Sequence, residues 1–273
     1  MNLSNVFLKS SKTSYLKKVA YFLRIGALVE LFLTPKPGLV DLIDSGSHRD
    51  LDFDKMYRSI LIMKDYHDEL ITGLCDGFSF ADLQQIGIKA ETRMYDMFGT
   101  NTHKGYIFLS GLLLCSLYLS DDSQDNIRLK IIELSKEHFS DDKKFTNTFG
   151  GIANECLKGL PSVFEEGLPA LSFYYSFSKD IKTSLFYLLA RLMQTVEDTT
   201  AIRRCGIEGL KRLKRDGFEI ERSILLGENY KNLLISINRE YQKLNLTMGG
   251  VADILGICVG FFYAKKTGIT LLF

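Results

Sequence analysis

"YLKKVAYFLRIGALVELFL" (residues 15–33) carries apolar side chains three and four positions apart along its whole length and runs out at Pro35. That spacing turns one helical face toward a core. Proline lacks the amide donor and clashes with the preceding turn, so the helix stops there. The same period recurs downstream. "DFDKMYRSILIMKDYHDELITGL" (52–74) begins on an aspartate able to cap it, and further helices fit 82–98, 104–119, 125–138, 180–196, 200–215, 221–244 and 250–265. Strand-like alternation and βαβ rhythm are missing. The expected fold is all-α, an array of about ten helices with polar active-site loops at the helix junctions. "SDDSQDN" (120–126) and "HFSDDKKF" (138–145) look like surface connections and no internal repeat is found, so residues 1–273 are expected to form a single domain.

The chain has 273 residues, 46% of them hydrophobic, which is enough for a sizeable core. With 34 basic and 33 acidic residues the formal charge is +1, so no global field recruits nucleic acid or an anionic membrane. Any anion has to be held locally. Cys75, Cys115, Cys156, Cys205 and Cys258 form no CxxC pair, and buried thiols in a reducing cytoplasm are expected. The first residues lack the long apolar core of a signal peptide. "LTMGGVADILGICVGFFYA" (246–264) has the length of a membrane span, but its four glycines and Asp253 favour a helix buried in a soluble core.

Polar chemistry gathers at the junctions. "LTPKPGLVDLIDSGSHRDLD" (33–52) fixes Lys36 between two prolines and follows it with Asp41, Asp44, His48, Asp50 and Asp52. "GTNTHKGYIF" (99–108) places His103 and Lys104 where an apolar helix begins; free N–H groups and a lysine there suit an anion. No strand precedes it and Gly105 stands where a P-loop has Ser or Thr, so a Walker-type ATP site is rejected. "GGIANECLKG" (150–159) holds Glu155 among small residues. "EDTTAIRRCG" (197–206) offers Asp198 as a cap and puts Arg203 and Arg204 in the first helical turns, where cations oppose the dipole unless a phosphate or an acid such as Glu197 or Asp198 meets them. "TMGGVADILG" (247–256) lets a ligand approach the backbone at Gly249 and Gly250, and Asp253 follows one turn in. Lys36, Lys104 and Arg204 are therefore expected to bind phosphates, while Asp41, Asp50, Asp52, Asp198 and Asp253 suit a hard cation, magnesium rather than zinc. His67, His138 and the run "KRLKRDG" (211–217) are expected to be solvated.

In order and spacing, "PKPGLVDLIDSGSHRDLD", "GTNTHKG", "GGIANE", "EDTTAIRRCG" and "GGVADIL" resemble the triphosphoribosyl-dephospho-CoA synthase family, which serves citrate lyase and malonate decarboxylase. The resemblance covers roughly residues 15–265. It implies an all-α cytoplasmic enzyme that takes Mg²⁺-ATP and 3′-dephospho-CoA, releases adenine and joins C1″ of the triphosphoribosyl group to the 2′-hydroxyl of dephospho-CoA. It also implies that the product passes to an acyl carrier protein transferase. Asn101 joins Lys36, Lys104, Arg204, Gly249 and Gly250 as an ATP-binding residue, with the metal at Asp41, Asp50, Asp52 and Asp198. The sequence departs from the family pattern at Leu42 and Ile152, where cations are usual, and at Met248 and Val251.

Cleaving an N-glycosidic bond passes through an oxocarbenium-like state that a carboxylate stabilises, and Glu155 or Asp253 could supply it. Adenine needs a proton as it leaves, a role suited to His48 or His103. Asp50 or Asp52 could act as base for the acceptor hydroxyl. Two other readings share these residues: a transferase or nucleosidase using another acceptor or water, and a catalytically silent nucleotide-binding protein.

Overall fold

The computed structural model describes residues 3–121, 123–139 and 150–266, with side chains from residue 11 onward. Among the described residues there are eleven α-helices and no strand, as the periodicity predicts. They are α1 (Leu3–Phe32), α2 (Phe53–Asp76), α3 (Phe80–Phe98), α4 (Lys104–Leu119), α5 (Gln124–Phe139), α6 (Gly151–Leu157), α7 (Leu168–Ser178), α8 (Ile181–Thr195), α9 (Thr199–Leu225), α10 (Tyr230–Leu244) and α11 (Gly249–Lys266). A π-helical segment, Ser162–Gly167, leads directly into α7.

Local chemistry sets the ends. The Asp52 side chain caps α2 through Lys55 N, and Ser79 and Asp82 form a reciprocal capping box on α3. Asp180 and Asn229 cap α8 and α10. The stretch 150–178 contains α6, the π segment and α7, where no helix is expected from the sequence. Gly159, Pro161, Gly167 and Pro169 interrupt the period there, and α6 is only 7 residues long. The expected break between helices 200–215 and 221–244 also moves. α9 runs through to Leu225, bent only at Gly206, and the chain turns instead at Gly227 (φ 69°). Gly217 lies inside α9 because a Cβ there would meet Met193 Cβ at 2.7 Å and Ala190 O at 2.8 Å on α8. Its absence of side chain serves close packing rather than a turn.

α11 is the helix around which the others are arranged, and its longest contact is with α1. Val251, Ile254, Leu255, Ile257, Cys258, Val259 and Phe261 are all buried. Each large apolar side chain removed from water contributes roughly 1.5–3 kcal/mol. None of the helices among the described residues is long and apolar enough to cross a membrane. The glycines of this segment mark its crossing with α1: a Cβ on Gly26 would lie 2.1 Å from Gly256 O and 2.6 Å from Gly260 N. The five cysteines are free; Cys115, Cys156 and Cys258 are buried, Cys75 and Cys205 half-buried.

Alanine is a better helix former than glycine by about 0.8–1.0 kcal/mol. At position 26 its methyl would press on the α11 backbone, and overpacking of this kind costs about 1–3 kcal/mol. Gly26→Ala should therefore lower the urea midpoint. A raised midpoint would show that the two backbones do not touch.

Candidate active site

The polar loops meet at one cavity of about 940 Å³, within the size range of small-molecule sites. The α1–α2 loop brings His48 and Asp50, the α3–α4 junction brings Asn101, His103 and Lys104, and α9 brings Arg203 and Arg204. The start of α11 adds Gly249, Gly250 and Asp253, and α6 adds Ile152 and Ala153. Of the expected site residues, Lys36, Asp41, Asp52, Glu155 and Asp198 do not line the cavity.

Each of these five has another partner. Lys36 is buried and faces protein rather than the cavity expected to hold phosphate: Nζ pairs with the Glu30 carboxylate and donates to Glu30 O at 2.5 Å. Leaving such a carboxylate buried without its cation costs about 3–5 kcal/mol, so Lys36 holds the loop to α1. Asp41 accepts Lys36 N at 2.8 Å, Ile43 N at 2.7 Å and Asp44 N at 3.3 Å. Asp52 is the exposed cap of α2. Asp198 is fully buried and receives Thr200 N, Ala201 N and Val251 N at 2.8–2.9 Å. Glu155 accepts Ser162 N at 3.1 Å and Ser162 Oγ at 2.5 Å.

The four acids expected to bind metal are thus not brought together. Among the described residues no group of three or more His, Cys, Asp or Glu side chains could hold a metal. Asp50 alone of the four faces the cavity, where its carboxylate accepts Thr100 Oγ1 at 2.6 Å. That bond is the main cause holding its pKa below the usual range. One such carboxylate beside a polyphosphate still fits magnesium, which commonly takes one or two carboxylates plus substrate phosphates.

The histidines depart from expectation in charge. Thr247 Oγ1 donates to Gly38 O at 2.8 Å and so accepts from His48 Nε2–H at 2.9 Å. The bare Nδ1 of His48 then faces Arg204 Nη2 at 3.4 Å and Asp50 at 3.9 Å. Burial, then Arg204, push its pKa down to about 4. Ser59 Oγ donates to Met56 O at 2.8 Å and accepts His103 Nδ1–H at 2.7 Å. Burial, then Lys36, push His103 down to about 3. Both rings are neutral at pH 7, so neither is the ready proton donor expected from an ordinary imidazole. His67 and His138 are not solvated either. His67 is fully buried against Ser110 and Arg24, with its pKa pushed down to about 3 by burial. His138 is half-buried, accepts Gln84 Nε2 at 2.7 Å and lines the cavity.

Two carboxyls compensate. Asp253 sits half-buried against the start of α4, and a Cβ on Gly105 would fall 2.1 Å from its Oδ2. Gly105 is therefore what makes room for the acid. Asp253 has no hydrogen bond or ion pair among the described residues, and burial, then Glu30 and Asp198, lift its pKa well above the carboxylate range. Glu30, which sequence reasoning missed, lines the cavity as well, and burial lifts its pKa against the pull of Lys36. The signal was a lone acid near the end of an apolar helix.

Cations stay on the cavity wall. Arg204 donates to Ser47 O at 2.7 Å and Asn245 Oδ1 at 3.1 Å. Arg203 is exposed and, among the described residues, makes no ion pair with Glu197 or Asp198. Lys104 Nζ lies 3.2 Å from Glu91. The N–H of Val251 goes to Asp198, so the start of α11 offers surface rather than a free anion cradle. Of the departures from the family pattern, Leu42 is exposed and off the cavity, Ile152 lines it, and Met248 and Val251 are buried in the core.

An all-helical protein with a cationic, ligand-sized cavity is the class these features define. The chain belongs to the ATP:dephospho-CoA triphosphoribosyl transferase family, whose model matches residues 16–142 and 135–269. It is 32% identical over 280 residues to a protein of Streptococcus equi subsp. equi named "Probable 2-(5''-triphosphoribosyl)-3'-dephosphocoenzyme-A synthase", covering 88% of this chain and 94% of the relative. A Streptococcus mutans serotype c protein of the same name is 28% identical over 288 residues, covering 92% and 97%. No solved structure matches the chain.

Nuclear magnetic resonance of ¹⁵N-labelled histidine at pH 5.5 checks the electrostatics. With folded pKa values of about 4, 3 and 3, His48, His67 and His103 lie below that pH and should be neutral. Their protons should sit on Nε2 in His48 and His67 and on Nδ1 in His103. An imidazolium at any of the three would contradict the buried geometry.

Proposed function

We propose that this chain transfers the triphosphoribosyl group of ATP to the 2′-hydroxyl of 3′-dephospho-CoA. The C1″–N9 bond of ATP breaks and a C1″–O bond forms. The hydroxyl loses one proton and the departing adenine gains one, so no water or redox partner is consumed. Family membership supports the reaction, and the observation that carries the site is the gathering of the motif loops around one cavity with Lys104, Arg203, Arg204 and Asp253 on its wall.

The residues divide the work by charge. Lys104, Arg203 and Arg204 meet the triphosphate, and Asn101 adds a neutral hydrogen-bonding group. Asp50 would hold magnesium together with the phosphates, where the ion neutralises their charge. Asp253, whose pKa burial raises, hands a proton to adenine. The carboxylate left behind then faces the positive charge growing at C1″, the complement an oxocarbenium-like state needs. His103 Nε2 has no partner among the described residues, so it can accept the hydrogen of the acceptor hydroxyl. The negative triphosphate beside it raises the ring's affinity for a proton. Glu155, tied to Ser162, has no part in this scheme. The chain acts as one domain in the cytoplasm, and its product goes on to an acyl carrier protein transferase.

Incubation with Mg-ATP and dephospho-CoA should yield free adenine by chromatography, EDTA should stop it, and ADP with phosphate should not appear. ADP as the main product would replace glycosyl transfer with phosphoryl transfer. Adenine release that ignores dephospho-CoA would point to a nucleosidase.

Asp253→Asn replaces the carboxyl with a neutral amide of similar size. No hydrogen bond or ion pair among the described residues is lost, so the melting temperature should hold. The amide has no acidic proton to give, and kcat should fall about 100-fold or more. A variant with normal kcat would take Asp253 out of the reaction.

A further inference from the structure

The polar end accounts for only part of the cavity. The other end lies between α2, α3, α4 and α5 and is walled by Leu70, Leu83, Gly87, Ile88, Phe108 and Leu112. Gln84 and His138, joined by their 2.7 Å hydrogen bond, interrupt this wall, as does the Tyr66 hydroxyl, which is already spent on Ile107 O at 3.0 Å. No lysine or arginine lines this end; Lys104, Arg203 and Arg204 all lie toward the loops. The two ends meet at the Glu91–Lys104 ion pair, and Glu91 sits one helical turn along α3 from Gly87.

An apolar channel with few fixed polar groups excludes a triphosphate, whose charge needs cations or water. The departing adenine is also excluded, because it is bonded to the reacting carbon and has to lie beside the acids and imidazoles of the polar end. One portion of the two substrates is long, uncharged and remote from the reacting atoms: the pantetheine arm of the acceptor, with its methyl groups, two amides and thiol. Its order along the molecule is nucleoside, diphosphate, arm. The order along the cavity is the reacting groups, Lys104, apolar walls.

We infer that the apolar end of the cavity receives the pantetheine arm of dephospho-CoA, with the diphosphate passing Lys104 and an arm amide meeting Gln84 or His138. This rests on the transferase reading above. The site would then select a coenzyme-derived acceptor over a simple nucleotide by burying the arm.

Gly87 provides the test. Gly87 lines the cavity and a Cβ on it would meet only Tyr66, at the ordinary contact distances of 3.8 and 4.0 Å, so a methyl fits there and a longer side chain takes up cavity space. Gly87→Leu should raise KM for dephospho-CoA at least tenfold and leave KM for ATP within twofold. Gln84→Ala, at a half-buried position, should weaken dephospho-CoA several-fold, and Gly87→Ala serves as the folding control. Pantetheine alone should bind the wild-type protein by calorimetry, compete with dephospho-CoA, and lose binding in Gly87→Leu. A raised KM for ATP with unchanged dephospho-CoA would assign the apolar end to adenine and overturn the inference. So would absence of pantetheine binding to the wild type. The calorimetry needs no turnover, so it decides the occupant even where adenine release fails and the transferase reading falls.

Discussion

Asp198 is fully buried and accepts backbone N–H groups from two helices, Thr200 and Ala201 of α9 and Val251 of α11. A buried carboxylate is tolerated only when its lone pairs are satisfied, and three amides from two helix starts do that. Burial still lifts its pKa, with those backbone bonds opposing the shift. The carboxylate joins the amino ends of two helices that would otherwise repel through their dipoles. Everything those ends carry follows from the junction: Arg203 and Arg204 on α9, and Gly249, Gly250 and Asp253 on α11. The α1–α2 loop is fastened to the same place, because Thr247 bonds Gly38 O and His48, and Arg204 bonds Ser47 O.

The cavity's electrostatics reverse the usual roles of its side chains. Burial pushes the pKa values of the His48 and His103 imidazoles down, so they stay neutral at pH 7, and lifts the pKa of Asp253. An acid with no partner among the described residues, in a cavity whose wall also carries Lys104, Arg203 and Arg204, is an arrangement set by the protein before the ligand arrives. Neutral histidines bonded through Thr247 and Ser59 have one tautomer each, so their bare nitrogens are set by the protein rather than by the substrate.

Much of this was legible in the sequence. Apolar periodicity gave α2 to α5, α8 and α11 within a few residues, while α1 begins earlier than expected and the α9–α10 boundary moves, and all five polar loops proved to line one cavity. The fate of each acid was harder to read, because a carboxylate beside helix starts serves a backbone amide as readily as a metal. Asp52 and Asp198 stand at capping positions, and there the capping reading was sufficient. The stripe Ile60, Met63, His67, Leu70 and Leu74 already put His67 on the buried face of α2, so its burial could have been found. The partner of Lys36 was beyond reach of local pattern: Glu30 belongs to the preceding helix, and only the turn through Pro35 brings the two together. The apolar end of the cavity left no trace either, since Leu83, Phe108 and Leu112 have the spacing of ordinary core residues.

The crossing of α1 and α11 sets an order of events in the life of each molecule. Gly26 and Gly256 touch across about 230 residues of chain, a separation that makes contact formation slow relative to local helix growth. Glu30 is on one of these helices and Asp253 on the other, so the cavity has no floor until both are docked. A ribosome that has delivered the first ten helices therefore carries a chain with apolar faces still uncovered and no nucleotide site. Until α11 docks, those faces are open to aggregation and the chain's own substrates have no site from which to shield them.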